Sequence, residues 1–161
     1  MKLCILGGGL TGLSLAKSLV KKGLSIDIFL NKKKSDFNRS RTIGISNDNL
    51  MYFNKEILDI KKLFWDIKKI EIYSDNLRNE KILNFENNNK TVFAIIRNYQ
   101  LQSKLLKSLK KDKLCKFKQN FDYNLSNLKK YKLIINCEND NYFSKKFFSR
   151  SLKKKYDSLA Y

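Results

Sequence analysis

The sequence predicts an α/β fold in which a parallel sheet is flanked by helices and carries an inserted β-rich segment. Three observations lead to it. A short apolar run, Leu3–Leu6, enters the glycine-dense stretch Gly7-Gly8-Gly9-Leu10-Thr11-Gly12. Apolar residues then recur at helical spacing as far as Gly23, and the β-branched and aromatic run "LSIDIFL" follows. Strand, glycine turn, helix, glycine and strand within about 30 residues form a βαβ unit.

Each element has a local reason. Leu3–Leu6 is a continuous apolar run, the mark of a strand buried on both faces. From Leu10 to Lys22, the residues Leu10, Leu13, Leu15, Ala16, Leu19 and Val20 line one helical face, and Gly23 stands where a C-cap glycine belongs. After "LSIDIFL", the polar stretch "NKKKSDFNRSRTIGISNDN" reads as a loop with "RTIGIS" extended inside it. Asn47–Lys69 carries Leu50, Phe53, Ile57, Leu58, Leu63, Phe64 and Trp65 at spacings that predict an amphipathic helix, with Trp65 in the core. "KKIEIYSD", "EKILNF" and "TVFAIIR" predict three strands. Tyr99–Leu109 is helical by its leucines, and "LCKFKQNF" and "KLIINCEN" predict two closing strands before a weakly patterned tail from Asn141.

Composition narrows the chemistry. With no histidine, the chain has no Ser-His or Cys-His pair and no imidazole metal site. Cys4, Cys115 and Cys137 are widely spaced and read as buried thiols of a reducing compartment. No metal is expected. The net charge of +19 raises nucleic-acid binding as an alternative. Against it, the lysines are spread over the chain (Lys32–Lys34, Lys61, Lys62, Lys110, Lys111, Lys153–Lys155), and arginine, the usual base reader, is scarce. The glycine triplet interrupts what would otherwise pass for a secretory signal near the start. The expected location is cytoplasmic, with peripheral membrane association through the basic surface.

The glycine stretch satisfies G-x-G-x-x-G between a strand and a helix, the fingerprint of a Rossmann-like FAD/NAD(P)-binding domain. Gly7 permits the sharp turn, Gly9 lets a diphosphate approach the backbone, and Gly12 lets the helix pack closely. The diphosphate is expected on the backbone of Gly7, Gly9, Leu10, Thr11 and Gly12, at the positive end of the helix. An acid normally ends the second strand and binds the ribose; here Leu30 and Asn31 stand in its place, and Asp27 lies inside the strand. Asn31 is the ribose candidate, without the strength of a charged acceptor. Lys32–Lys34 would suit a 2′-phosphate, which keeps an NADP-binding module as the rival reading.

From "RTIGISNDNL" onward the sequence resembles the FAD-dependent aromatic hydroxylases, most closely the ubiquinone-biosynthesis branch. Arg41, Gly44, Ile45 and Ser46 match that family's Arg-containing loop after the second strand. "FAIIRNYQLQSKLL" is similar to its strand-to-helix segment through Arg97, Asn98, Leu101 and Leu105, "KLIINCENDNYFSKK" to the strand that runs into A-D-G-x-x-S-x-x-R, and "KKKYDSLAY" to the start of the next strand. The resemblance implies an FAD-dependent monooxygenase that hydroxylates an aromatic quinone precursor, with NADPH or NADH as electron donor. It also implies that Arg41 lies along the cofactor and that Asn98 or Gln102 hydrogen-bonds it, unless Asn98 only caps its helix. Cys137, Glu138 and Asn139 replace A-D-G, with Glu138 expected to face solvent, and Tyr142 replaces the serine.

The expected organisation is one FAD-binding domain over 1–161. It comprises a βαβ unit at 1–31, an Arg loop and helices at 32–69, a β insertion at 70–97, and a helix with returning strands at 98–161. The family's second flavin motif, G-D-A, and the C-terminal half of the family do not appear in the sequence. The reading is therefore an N-terminal portion or a shortened relative, with a partner chain as one source of the missing half. The expected small-molecule partner is an aromatic or quinone-precursor substrate. No catalytic residue is assigned.

Overall fold

The computed structural model describes residues 2–30, 39–75, 78–88, 90–119 and 129–148. Strand β1 (Lys2–Leu6) leads through the glycine turn into helix α1 (Leu10–Lys21), and β2 (Ser25–Leu30) returns beside it. Gly23, at φ +78°, closes α1: its N–H donates to the Val20 carbonyl, and the Leu24 N–H donates to that of Leu19. This paired closure uses a left-handed residue that glycine adopts without a Cβ penalty.

Strands β8 (Cys115–Gln119) and β9 (Leu133–Asn136) complete a four-stranded sheet in the order β8-β2-β1-β9, every pair parallel. Register pairs Leu3 with Ile26 and Ile5 with Ile28. Because side chains alternate across a strand, these four share one face. They pack there against Leu13, Ala16 and Val20 of α1 and Leu101, Leu105 and Leu109 of helix α3 (Asn98–Lys110). Cys4 and Leu6 point to the other face, where Tyr131, Phe29, Ile134 and Phe143 gather around them. Burial raises the Cys4 thiol to about 12 and that of Cys115 to about 11. Cys137 is half-buried rather than buried, and burial raises its thiol too.

The inserted segment forms two small antiparallel sheets. One has the order β3-β7-β4, from β3 (Thr42–Ser46), β7 (Phe93–Arg97) and β4 (Phe64–Ile67). Its inner face sends Ala94 and Ile96 into the main core. The other is a hairpin of β5 (Lys69–Tyr73) and β6 (Lys81–Glu86), with β6 exposed along its length. Helix α4 (Tyr142–Phe147) follows β9, capped by Asn141, whose side chain accepts from the Ser144 N–H at 3.0 Å. Among the described residues no helix is long and apolar enough to cross a membrane.

The helix expected over Asn47–Lys69 is a correction. Helix α2 covers only Asn47–Tyr52 and ends in a wider π turn, Phe53–Ile57. Leu58 is extended at φ −159° and ψ 134°, and the Asn54 side chain accepts the Ile60 N–H at 2.7 Å, competing with the helical ladder. "FWDI" then pairs with β7, a partner that helical spacing in the sequence cannot reveal. Trp65 is consequently 51% exposed rather than core, with the Arg97 guanidinium 5.2 Å from its ring centre. As the chain's one tryptophan, it is expected to emit at the solvent-exposed end of the indole range, to be quenched readily by acrylamide, and to cost less than about 1 kcal/mol on Trp65→Ala. A blue-shifted, protected emission would place it back in a core.

Candidate functional site

The site begins where β1 ends. Gly7 sits at φ +117°, a conformation open to glycine, and its N–H donates to the Phe29 carbonyl at 3.0 Å, so the turn starts as an extension of the β1–β2 ladder. Gly9 is the N-cap of α1 at φ −73° and ψ 175°, without a side-chain cap and without an acid in the first turn. The first amides of a helix have no partner within it. A Cβ built on Gly9, just before these amides, would meet no atom of the described residues within 4 Å.

The other glycines are held by close contacts. A Cβ on Gly12 would collide with the Gly7 carbonyl oxygen, and one on Gly8 would overlap the end of the Leu30 side chain. Gly12 therefore closes the turn on itself, where a Cβ would also come within 3.4 Å of the Ile5 side chain on β1. Leu10 is half-buried against the core, while Thr11 is exposed on the first turn of α1.

One other candidate reaches this turn from far along the chain, and two more connect to it through α3. The Gln102 side chain, on α3, donates to the Gly8 carbonyl at 2.7 Å across 94 residues of sequence. Asn98 begins α3 one turn earlier; its N–H donates to the Arg41 carbonyl at 3.0 Å. Residues four apart share a helix face, so Arg41, Asn98, Gln102 and the glycine turn form one connected line. Asn98 does not cap the helix: Arg97 is the N-cap, without a side-chain bond, and the Asn98 Oδ1 is buried with no partner among the described residues. Arg41 is exposed. Asn31 lies outside the described residues.

Gln102→Ala removes one neutral hydrogen bond, so a stability loss of about 1 kcal/mol is expected from thermal melts. If the turn binds a ligand, its affinity should fall by more than that, because Gly8 loses the group that orders it.

Sequence reasoning missed the residues flanking the turn. Glu138 does not face solvent; it is half-buried, and its Cγ would lie 2.9 Å from a Cβ on Gly7. It is held by an amide lock: the Asn136 Oδ1 accepts from the Glu138 N–H at 3.1 Å and from the Asn141 side chain at 2.7 Å. The Ser144 hydroxyl donates to the Glu138 carbonyl at 2.8 Å. The signal was present as the Asn-rich run after β9, where short polar side chains bond nearby backbone. On the first turn of α3, the hydrogen bond from Arg97 draws the Tyr99 phenol below its usual range, and the Arg39 charge adds to the effect.

No family model matches the sequence, and no curated protein is similar to it. Solved structures do match. p-Nitrophenol 4-monooxygenase PnpA from Pseudomonas putida DLL-E4 has a TM-score of 0.60 at 15% identity, over 73% of this chain and 31% of its own. PqsL, "a probable FAD-dependent monooxygenase" from Pseudomonas aeruginosa, has a TM-score of 0.70 at 10% identity, over 97% of this chain and 48% of its own. The chain shares its fold with these two proteins. HpxO from Klebsiella pneumoniae, solved with FAD and uric acid, shares it at a TM-score of 0.55 and 20% identity, over 73% of this chain and 30% of its own. The chain thus spans about a third to a half of the length of these structures.

Proposed function

We propose that this chain is the FAD-binding portion of a flavin-dependent monooxygenase that hydroxylates an aromatic quinone precursor of the ubiquinone-biosynthesis type. The observation that carries the reading is the open amide end of α1 at Gly9. A helix start with unpartnered N–H groups and no side chain over it suits a diphosphate. The net charge of +19 favours the same anion.

The residues present fit the group. The backbone of Gly7, Gly9, Leu10, Thr11 and Gly12 would hold the diphosphate, with Gln102 keeping the Gly8 peptide in place. The orphaned Oδ1 of Asn98 would accept from a cofactor hydroxyl or ring N–H, satisfying an acceptor the protein alone leaves bare. Arg41 would add positive charge from the start of β3. Asn31 remains the ribose candidate, since Leu30, packed on Gly8, offers no acceptor. When bound, the flavin supplies the redox and oxygen-transfer chemistry, drawing on NADPH or NADH; the chain supplies binding and electrostatics, for which no histidine is required. The substrate domain would come from further segments of a longer chain or from a partner subunit, consistent with the span of the matched structures.

Purified protein is expected to be yellow and to release FAD on heating. A colourless protein that ignores added FAD but binds NADP would replace this reading with the NADP-binding module. Affinity for nucleic acid that falls steeply with salt and is unchanged in Gly9→Val would replace it with the nucleic-acid reading.

A further inference from the structure

The β5–β6 hairpin has two unlike sides. Register pairs Ile70 with Phe85 and Ile72 with Leu83, and directly opposed residues share a face, so these four side chains form one apolar side. Ile72, Leu83 and Phe85 on it are 42%, 47% and 47% exposed. The other side is polar and bonded to itself: Glu71 accepts from Lys69 at 3.0 Å, from Lys81, and from the Tyr73 hydroxyl at 3.2 Å. A two-stranded sheet by itself is marginal in water, and among the described residues neither strand has a third partner. The outer edge of β6, exposed from Lys81 to Glu86, therefore presents backbone N–H and C=O groups to a further strand.

We propose that β6 pairs antiparallel with β6 of a second copy of this chain, about a two-fold axis at Asn84, giving a four-stranded sheet that runs across the dimer. The register follows from side-chain alternation. Opposed side chains in antiparallel strands share a face, so a symmetric pairing must oppose residues an even number of positions apart. The shift from Ile72–Leu83 to Tyr73–Lys81 makes Ile82 a bulge residue. A register centred on Leu83 would carry that bulge inside the pairing and set Lys81 against Phe85. The register centred on Asn84 leaves Lys81 beyond the pairing and opposes Leu83 to Phe85 twice, on the apolar side. Asn84 then meets Asn84, two neutral amides able to bond each other. Glu86 comes opposite Ile82 and beside Lys81 of the second copy, so unlike charges meet at both ends.

Strand β5 lacks this self-complementarity. Paired with itself over its full length, it would oppose Glu71 to Glu71, and like charges directly opposed destabilise a sheet. The contact is thus made by one edge of each copy and closes as a two-fold dimer instead of extending into a filament. Flavin binding plays no part in it, so loss of the flavoprotein reading would leave it intact.

The test is sedimentation equilibrium of the purified chain at about 0.5 M salt, which screens the repulsion between two copies of formal charge +19. A concentration-dependent monomer–dimer equilibrium is expected. Asn84→Cys should form a disulfide-linked dimer on mild oxidation, because opposed Cα atoms lie about 4.5–5.5 Å apart, within disulfide reach. Glu80→Cys, equally exposed, should not, since it would stand about 27 Å from its own copy at ~3.4 Å per residue. Both variants carry the same three native cysteines, so background linkage is equal. Phe85→Lys should weaken the dimer at least about tenfold, and Tyr73→Lys, the same charge on the polar side of β5, less than about twofold. A monomer at every concentration up to about 0.5 mM, weaker than even transient interfaces of this kind, would overturn the proposal. So would equal linkage in the two cysteine variants, or a dimer that Phe85→Lys weakens no more than Tyr73→Lys, which would assign association to another surface.

Discussion

Gly12→Ala is expected to destabilise the fold by about 3 kcal/mol, at the upper end of overpacking costs, and Gly9→Val is expected to leave stability nearly intact while removing cofactor binding. The two substitutions lie in one turn and act through different physics. In a helix interior, replacing glycine with alanine ordinarily stabilises by about 0.5–1 kcal/mol. At Gly12 the sign reverses, because the new Cβ would collide with the Gly7 carbonyl, a backbone atom that has no rotamer in which to escape. Relief requires moving the turn or tilting α1 off the sheet. Gly9 has φ −73°, ψ 175° and no neighbour among the described residues within 4 Å of its Cβ position, so they leave room for valine. The valine side chain would then occupy the space that a diphosphate needs, and FAD affinity should fall at least about a hundredfold, or 2.7 kcal/mol. Thermal melts and flavin fluorescence separate the two results. A Gly9→Val protein that binds FAD as tightly as the parent would remove the basis of the proposed function.

Asp27→Ala is expected to cost about 2–3 kcal/mol although Asp27 lies outside the glycine turn. Asp27 is fully buried in the middle of β2, and one of its oxygens takes Lys118 at 2.7 Å, Lys2 at 3.1 Å and the Tyr131 hydroxyl at 2.7 Å. Removing one partner of a fully buried ion pair costs roughly 3–5 kcal/mol. Both lysines are more than a third exposed and can turn to water, which lowers the figure, while the stranded Tyr131 hydroxyl keeps it from vanishing. Burial opposes ionisation of Asp27, but hydrogen bonds from Lys118, Tyr131 and Lys2 together outweigh it and hold the carboxyl below its usual range. A folded-state value below the unfolded one means this stabilisation is complete above about pH 4 and is lost as pH falls through the folded value. Melts taken downward from pH ~6 should therefore show a decline that is shallower in Asp27→Asn. Parallel curves for the two proteins would show that Asp27 is not ionised in the folded state.

The fate of particular residues shows how far sequence reading reaches. The unit from Lys2 to Leu30 was legible because its signals are local: a continuous apolar strand, a helical stripe, a C-cap glycine and a turn whose glycines stand where close approach or unusual angles are required. Strands β3, β5, β6 and β7 of the insertion were legible for the same reason. Asn47–Lys69 was not, since its apolar spacing fits a helix and its strand half forms only because β7, some thirty residues on, offers a partner.

The order of residues along the chain, taken alone, determined the α/β class, the parallel strands and the place where a helix begins bare. Tertiary structure decided that Gln102 reaches Gly8, that Arg41 meets Asn98, that Glu138 lies against Gly7, and that Asp27 is a buried anchor rather than a ribose ligand. Periodicity reports which side of an element is apolar, because neighbouring residues share one backbone geometry. It does not report which distant side chain arrives there, because that depends on how whole elements pack, and a polar contact across 94 residues leaves no trace in either local sequence.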